Sequence, residues 1–131
     1  TWQVRPSWRL LASYSTVTTH NRTTAPGALF GSNVDPGKTP DAQFQVRSQL
    51  TLADGLEFDS ALFHTGSLST GAIPAYTRLD LRLGWRPVDR LAIALVGQNL
   101  LDDRHPEFAP LFYHAAGEVP RSLFLQLRAG F

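Results

Sequence analysis

A period of two constrains this chain more than any other feature. Residues 75–86 set Leu79, Leu81, Leu83 and Trp85 on one side and Tyr76, Arg78, Asp80, Arg82 and Arg86 on the other. Alternation at every second residue is the signature of a half-buried strand, because successive side chains point to opposite faces of a sheet. Residues 42–52 repeat the pattern, with Phe44, Val46, Leu50 and Leu52 opposite Gln43, Gln45, Arg47, Gln49 and Thr51. So do residues 120–131, where Leu123, Leu125, Leu127, Ala129 and Phe131 alternate with Phe124, Gln126, Arg128 and Gly130. Weaker alternation marks 8–20, through Trp8, Leu10, Ala12 and Tyr14, and 56–65, through Leu56, Phe58 and Leu62. Residues 91–101 are apolar on both faces, and their length and neighbours favour a strand. The reading is all-β, with six full strands and residues 1–4 as the tail of a seventh.

The connections alternate between short and long. Arg5-Pro6-Ser7, Ala53-Asp54-Gly55 and Pro87-Val88-Asp89-Arg90 carry the turn chemistry of Pro and Asp-Gly. Residues 21–41 are rich in Gly, Pro, Thr and Asn, 66–74 in Ser, Gly and Thr, and 102–119 hold charges, histidines and prolines, so these three connections are long. An antiparallel up-and-down meander with this alternation matches transmembrane β-barrels of outer membranes, which have short periplasmic turns and longer extracellular loops. Segments of about 10–12 residues also exceed the usual 5–6 of globular strands and suit a tilted membrane strand. In that frame Trp8, Trp85 and Phe131 fall at one interface as an aromatic girdle. Arg9, Arg47, Arg78, Asp80, Arg82, Glu57, Asp59 and Arg128 lie on the opposite face, which suits a wet lumen. Among them Arg47, Arg78, Arg82 and Arg128 are candidates for an anionic ligand's path, against the simpler expectation of a charge ladder with Asp80, Asp59 and Glu57 on neighbouring strands.

Composition sets the remaining bounds. At 131 residues, 43% hydrophobic and 18% charged, the chain fits one folding unit. Its formal charge of +1 is spread along the chain, which leaves no electrostatic footprint for nucleic acid. Eleven of the twelve basic residues are arginine. The lack of cysteine excludes disulfides, thiolate metal sites and thiol nucleophiles. Every apolar run is too short for a transmembrane helix. The start, Thr1-Trp2-Gln3-Val4, has neither an initiator methionine nor the pattern of an export signal, so the expectation is a removed signal or the end of something longer.

Residues 73–108, IPAYTRLDLRLGWRPVDRLAIALVGQNLLDDRHPEF, resemble the penultimate part of a TonB-dependent outer-membrane receptor. The likeness rests on a Tyr-Thr-x-Leu-Asp-Leu strand, a Gly-aromatic-Arg-Pro turn, Asn99-Leu100-Leu101-Asp102 and then His105-Pro106-Glu107-Phe108. PRSLFLQLRAGF is similar to that family's last strand, and FQVRSQLTLADGLEFDSALFHTG to its preceding hairpins. The resemblance implies that residues 1–131 are the C-terminal part of a 22-stranded plugged barrel. The family's plug domain and TonB box have no room in this chain. It implies uptake of a scarce nutrient such as a ferric siderophore across the outer membrane of a Gram-negative bacterium, with TonB as energy source and no cofactor. The implied partners are outer-membrane lipid, the remainder of the receptor, and a barrel-assembly machinery that reads Phe131 together with Leu127, Leu125 and Leu123.

The rivals are a soluble all-β ligand-binding barrel and a different outer-membrane barrel, a porin or barrel enzyme. Catalysis is not expected. No Gly-x-Ser-x-Gly elbow occurs, and His20, His64, His105 and His114 pair with no nucleophile by spacing. Asp102, Asp103, His105, Glu107 and His114 share a loop but fit no metal-ligand spacing, so no metal site is assigned. Asp102 and Asn99 are expected to organise the turn at a strand end. Asn21-Arg22-Thr23 fits a glycosylation acceptor, without meaning in a bacterial outer membrane. Phe108, Phe112 and Tyr113 either touch ligand or pack the loop.

Overall fold

In the computed structural model, which describes residues 1–18, 39–68, 73–108 and 117–130 and of 105–108 only the backbone, the alternating segments become one antiparallel sheet. Its strands are β1 (Trp2–Arg5), β2 (Trp8–Thr16), β3 (Ala42–Ala53), β4 (Leu56–Thr65), β5 (Tyr76–Val88), β6 (Leu91–Gln98) and β9 (Ser122–Ala129). They lie in the order β1-β2-β3-β4-β5-β6-β9, so each strand pairs with its neighbour along the sheet. A separate two-stranded ribbon, β7 (Arg104–Phe108) with β8 (Gly117–Pro120), sits inside the last long connection. No helix occurs among the described residues.

The ribbon corrects the expectation that residues 102–119 are loop throughout. A two-stranded ribbon has no sheet face to cover, so its sequence needs no apolar alternation, and Arg104, Pro106 and Glu118 pair within it without leaving that signal. Other bounds shift by a few residues. Strand β5 runs through Pro87 to Val88, leaving Asp89-Arg90 as the turn, whereas β2 stops at Thr16 and β6 at Gln98. His20, Asn21, Arg22, Thr23, Phe112, Tyr113, His114 and Phe131 lie outside the described residues, as do the side chains of His105, Glu107 and Phe108.

Register makes the alternation continuous across strands. One row reads Trp8, Leu50, Phe58, Leu83, Leu95, Leu125, each the direct partner of the next. The adjoining row on the opposite face reads Gln3, Arg9, Gln49, Asp59, Arg82, Val96, Phe124. A slip by one residue would exchange the two faces, so the apolar pattern and the register fix each other.

The apolar face is bare. Leu125 and Leu127 are each 67% exposed and Trp85 is 52% exposed, while the buried hydrophobic residues among those described are only Ile73, Ala94 and Val96. A water-soluble domain closes a second layer over such a face, because apolar area left in water forfeits about 25 cal/mol per Å². The sheet has no such layer among the described residues.

The sheet is also staggered. From the row that contains Trp8, strand β4 begins two residues further out at Leu56 and β6 begins four further out at Leu91. Two residues rise about 6.7 Å while two strand spacings cover about 9.6 Å, which tilts the strands about 35° from the normal to the line of turns. Each tight turn is tied to the strand that follows its hairpin. Thr51 N–H donates to the Ser7 carbonyl (2.8 Å), Arg86 N–H to the Gly55 carbonyl (2.7 Å) and Gly130 N–H to the Arg90 carbonyl (2.9 Å).

Gly55 sits at φ +72°, and a Cβ there would lie 2.4 Å from the Arg86 carbonyl oxygen, whereas a Cβ at Gly130 meets nothing within 4 Å. Gly55→Val is expected to destabilise the fold by about 1–3 kcal/mol, through left-handed strain and the forced retreat of β5. Gly130→Ala is expected to stay within about 0.5 kcal/mol of the parent. Urea unfolding of the refolded protein, followed by tryptophan fluorescence, reads both.

Candidate functional site

The polar face of β2–β6 and β9 holds the four arginines expected there. Arg47 opposes Ala61, Arg78 opposes Phe63, Arg82 opposes Asp59 and Arg128 opposes Ala92, all on one side of the sheet. They differ in what they meet. Arg82 Nη1 donates to Asp59 Oδ2 (2.8 Å) and Glu57 Oε2 (3.2 Å) across the β4–β5 pair. The guanidinium reaches both acids by lying over Gly84, where a Cβ would come 2.7 Å from Nη2. Arg78 Nε donates to Asp80 Oδ1 (2.9 Å), two residues along its own strand. The ladder to Glu57 and Asp59 thus crosses strands, while the pair with Asp80 runs along one.

Phe63 stands between two cations. The Arg47 and Arg78 guanidinium carbons each lie 5.4 Å from its ring centroid, within cation–π range. Ser13, Ser15, Gln43, Gln45 and Thr65 share a shallow depression with Phe63, toward the end from which the long connections leave. Arg128 has no carboxylate partner among the described residues.

Asn99 closes the corner after β6. It is fully buried and has φ +52°, the left-handed conformation that asparagine tolerates better than most residues. Its N–H donates to Asp80 Oδ1 (3.0 Å) and its Nδ2 to the Val119 carbonyl (2.9 Å). Leu100 N–H donates to the Leu79 carbonyl (2.9 Å), and the Leu100 side chain fills the space over Gly97, where a Cβ would be 3.0 Å away. Asp80 therefore serves both Arg78 and the corner, and Asn99 ties the β7–β8 ribbon to the sheet. Asp103 also holds the ribbon's base, by an ion pair to Arg121 (3.2 Å) and by accepting Arg121 N–H at its carbonyl (2.9 Å). The turn-organising role expected of Asn99 is thus visible in hydrogen bonds, whereas the Asp102 side chain makes none with the described residues.

Trp8 and Trp85 both lie on the apolar face, where Trp8 opposes Leu50 and Trp85 opposes Leu56. The Trp8 indole N–H donates to Ser48 Oγ (2.9 Å), which satisfies its polar edge beside the leucines. Phe131, the third expected girdle residue, lies outside the described residues. A second aromatic row was not anticipated. Tyr14, Phe44, His64 and Thr77 are consecutive cross-strand partners at the far end of the same face. The Phe44 and His64 rings stack at 5.1 Å, and His64 Nδ1 hydrogen-bonds Thr77 Oγ1 (2.9 Å). Parity alone placed Tyr14 and Phe44 on this face; their alignment with His64 needed the register of three strand pairs.

Scans of the chain against family models, curated proteins and solved structures return no match. Among the described residues no group of three or more histidines and acids is placed to hold a metal.

Asn99→Ala removes the Val119 bond and puts an unfavourable residue at a positive φ, so it is expected to cost about 2–4 kcal/mol. Asn99→Gly keeps the backbone free to adopt that conformation and is expected to cost less. Limited proteolysis at the β7–β8 ribbon, with hydrogen exchange at Leu100 N–H, distinguishes the two variants.

Proposed function

We propose that this chain is a C-terminal segment of a transmembrane β-barrel in a bacterial outer membrane, belonging to a TonB-dependent receptor that imports a scarce nutrient such as a ferric siderophore. The observation that carries the membrane half is the single-layer sheet, with one continuous apolar face uncovered by the described chain. Three features of that sheet support lipid as its cover. Strands of 8–13 residues outside the short β1 bracket the 9–11 that a tilted strand needs to cross hydrocarbon. The tilt of about 35° from the stagger lies at the lower bound for outer-membrane barrels. Aromatic rows mark both ends of the apolar band, Trp8 and Trp85 at the tight turns and Tyr14 and Phe44 at the long connections. Phe44 and Leu52 are eight positions apart, about 27 Å along the strand.

The receptor half rests on the sequence resemblance and on two of its motif residues meeting in space. Asp80 of the Tyr-Thr-x-Leu-Asp-Leu strand accepts the backbone N–H of Asn99 from the Asn-Leu-Leu-Asp corner. On this reading the polar face lines a wet interior, TonB and a plug act through parts of the receptor beyond this segment, and the free edges of the outer strands β1 and β9 pair with other strands of the barrel. Transport involves no chemistry on the substrate. The long connections offer capture, and the arginine face offers a polar wall.

Leu81 lies on the apolar face between Ser60 and Gly97, and Arg82 follows it on the polar face. Leu81→Arg is expected to lose about 2–4 kcal/mol of folding free energy in lipid vesicles if the residue meets the bilayer midplane. Arg82→Leu should lose less in the bilayer, by releasing Glu57 and Asp59. Equal folding of the two variants, by heat-modifiable migration and urea titration, would refute a lipid-facing assignment. Loss of nutrient uptake when TonB is deleted from cells carrying the full-length protein tests the receptor assignment separately.

A further inference from the structure

The polar face carries its arginines in two states. Arg78 and Arg82 are neutralised by Asp80, Asp59 and Glu57, while Arg86 and Arg128, at the tight-turn end, have no carboxylate partner among the described residues. These two flank one strand. Ala92 of β6 is the direct partner of Arg128 on β9, and on its other side β5 brings Arg86, next in chain to Trp85, the partner of Ile93. Two strand spacings separate β5 from β9, about 10 Å. Long side chains can close over that gap because the floor between them is short. Ala92 and Ala94 occupy positions where larger residues would fill the space, leaving a depression of about 540 Å³ that Arg86, Arg128 and Gln126 border and that the Arg82 guanidinium bounds toward β4. A second depression of about 420 Å³ adjoins it, shared by Arg86, Ala92 and Arg128 and rimmed by Arg90 and Asp89.

We propose that Arg86 and Arg128 form a clamp for an oxyanion, the phosphate or carboxylate of a small solute, held over the Ala92–Ala94 floor with Gln126 as an additional donor. Planar guanidiniums present paired N–H groups that match the oxygens of either group. The proposal narrows the ligand-path expectation, since Arg78 and Arg82 already hold their own acids, and it adds Arg86, which that expectation left out. The clamp faces water whether or not the opposite face meets lipid, so its failure and that of the membrane reading are separable.

The test is calorimetric titration of the refolded full chain in detergent with inorganic phosphate and, separately, with citrate, at constant ionic strength. Saturable binding of at least one anion is expected, weakened tenfold or more in Arg86→Gln/Arg128→Gln and unchanged in Arg9→Gln, which lies on the same face far from the clamp. Binding of phosphate alone identifies a phosphoryl ligand and binding of citrate alone a polycarboxylate. Ala92→Leu keeps both charges but fills the floor, and it too is expected to weaken binding tenfold. Absence of saturable binding by either anion, or parental affinity in Ala92→Leu or in the double variant, overturns the clamp.

Discussion

The rest of the structure depends on a sheet face that no other described part of the chain covers. Cross-strand hydrogen bonds hold seven strands in register, yet they supply only the sheet and leave its energy of burial to be found elsewhere. Ala94 and Val96 are buried, but they belong to the polar side of β6, where long neighbours such as Arg82 and Phe124 flank them. On the other side Leu83, Leu95, Leu123, Leu125 and Leu127 are exposed, and Leu50, Leu62, Leu79 and Leu81 are only half-buried. Apolar surface exposed in so broad a band, rather than in scattered single residues, is the kind that marks an interaction surface.

The two faces also solve different electrostatic problems. On the polar side, Arg82 is shared by two acids and Arg78 is bound to one, so charge is largely balanced toward the middle of the sheet. On the apolar side, two of the polar groups are satisfied within the sheet. Trp8 reaches Ser48 and His64 reaches Thr77, each within the sheet itself. A polar group set among apolar side chains costs free energy unless it is hydrogen-bonded, and the two pairs supply that bond across adjacent strands.

The sheet and its faces were legible because period two survives even where single residues are ambiguous. Leu79, Leu81, Leu83 and Trp85 could be assigned to one side without any neighbour, and register then confirmed that side through Leu62, Ser60, Phe58 and Leu56. What stayed hidden was information held between strands or in features without a period. The β7–β8 ribbon carries no apolar stripe, so Arg104 to Phe108 read as loop. The Arg47–Phe63–Arg78 stack joins three strands whose positions along one another are set by pairing. The second aromatic row has the same origin. Asn99 was suspected at a strand end, but its reach to Val119 across the last connection depends on a left-handed corner that the letters alone do not specify.

The alternation of connections gives the molecule a conservative end and a permissive one. At the tight turns, Gly55 is wedged against the Arg86 backbone and a carbonyl of each turn is engaged by the strand that follows its hairpin, so insertion there would disturb both the hairpin and its tie to the next strand. At the opposite end the connections are closed by a few bonds at their bases, Val17 N–H to the Asp41 carbonyl for one and the mutual Leu68–Ile73 pair for another, and doubling the length of such a segment costs about 0.6 kcal/mol. Sequence drift, grafted epitopes and lineage-specific novelty therefore have one rim on which to accumulate, while the other is held to its present form.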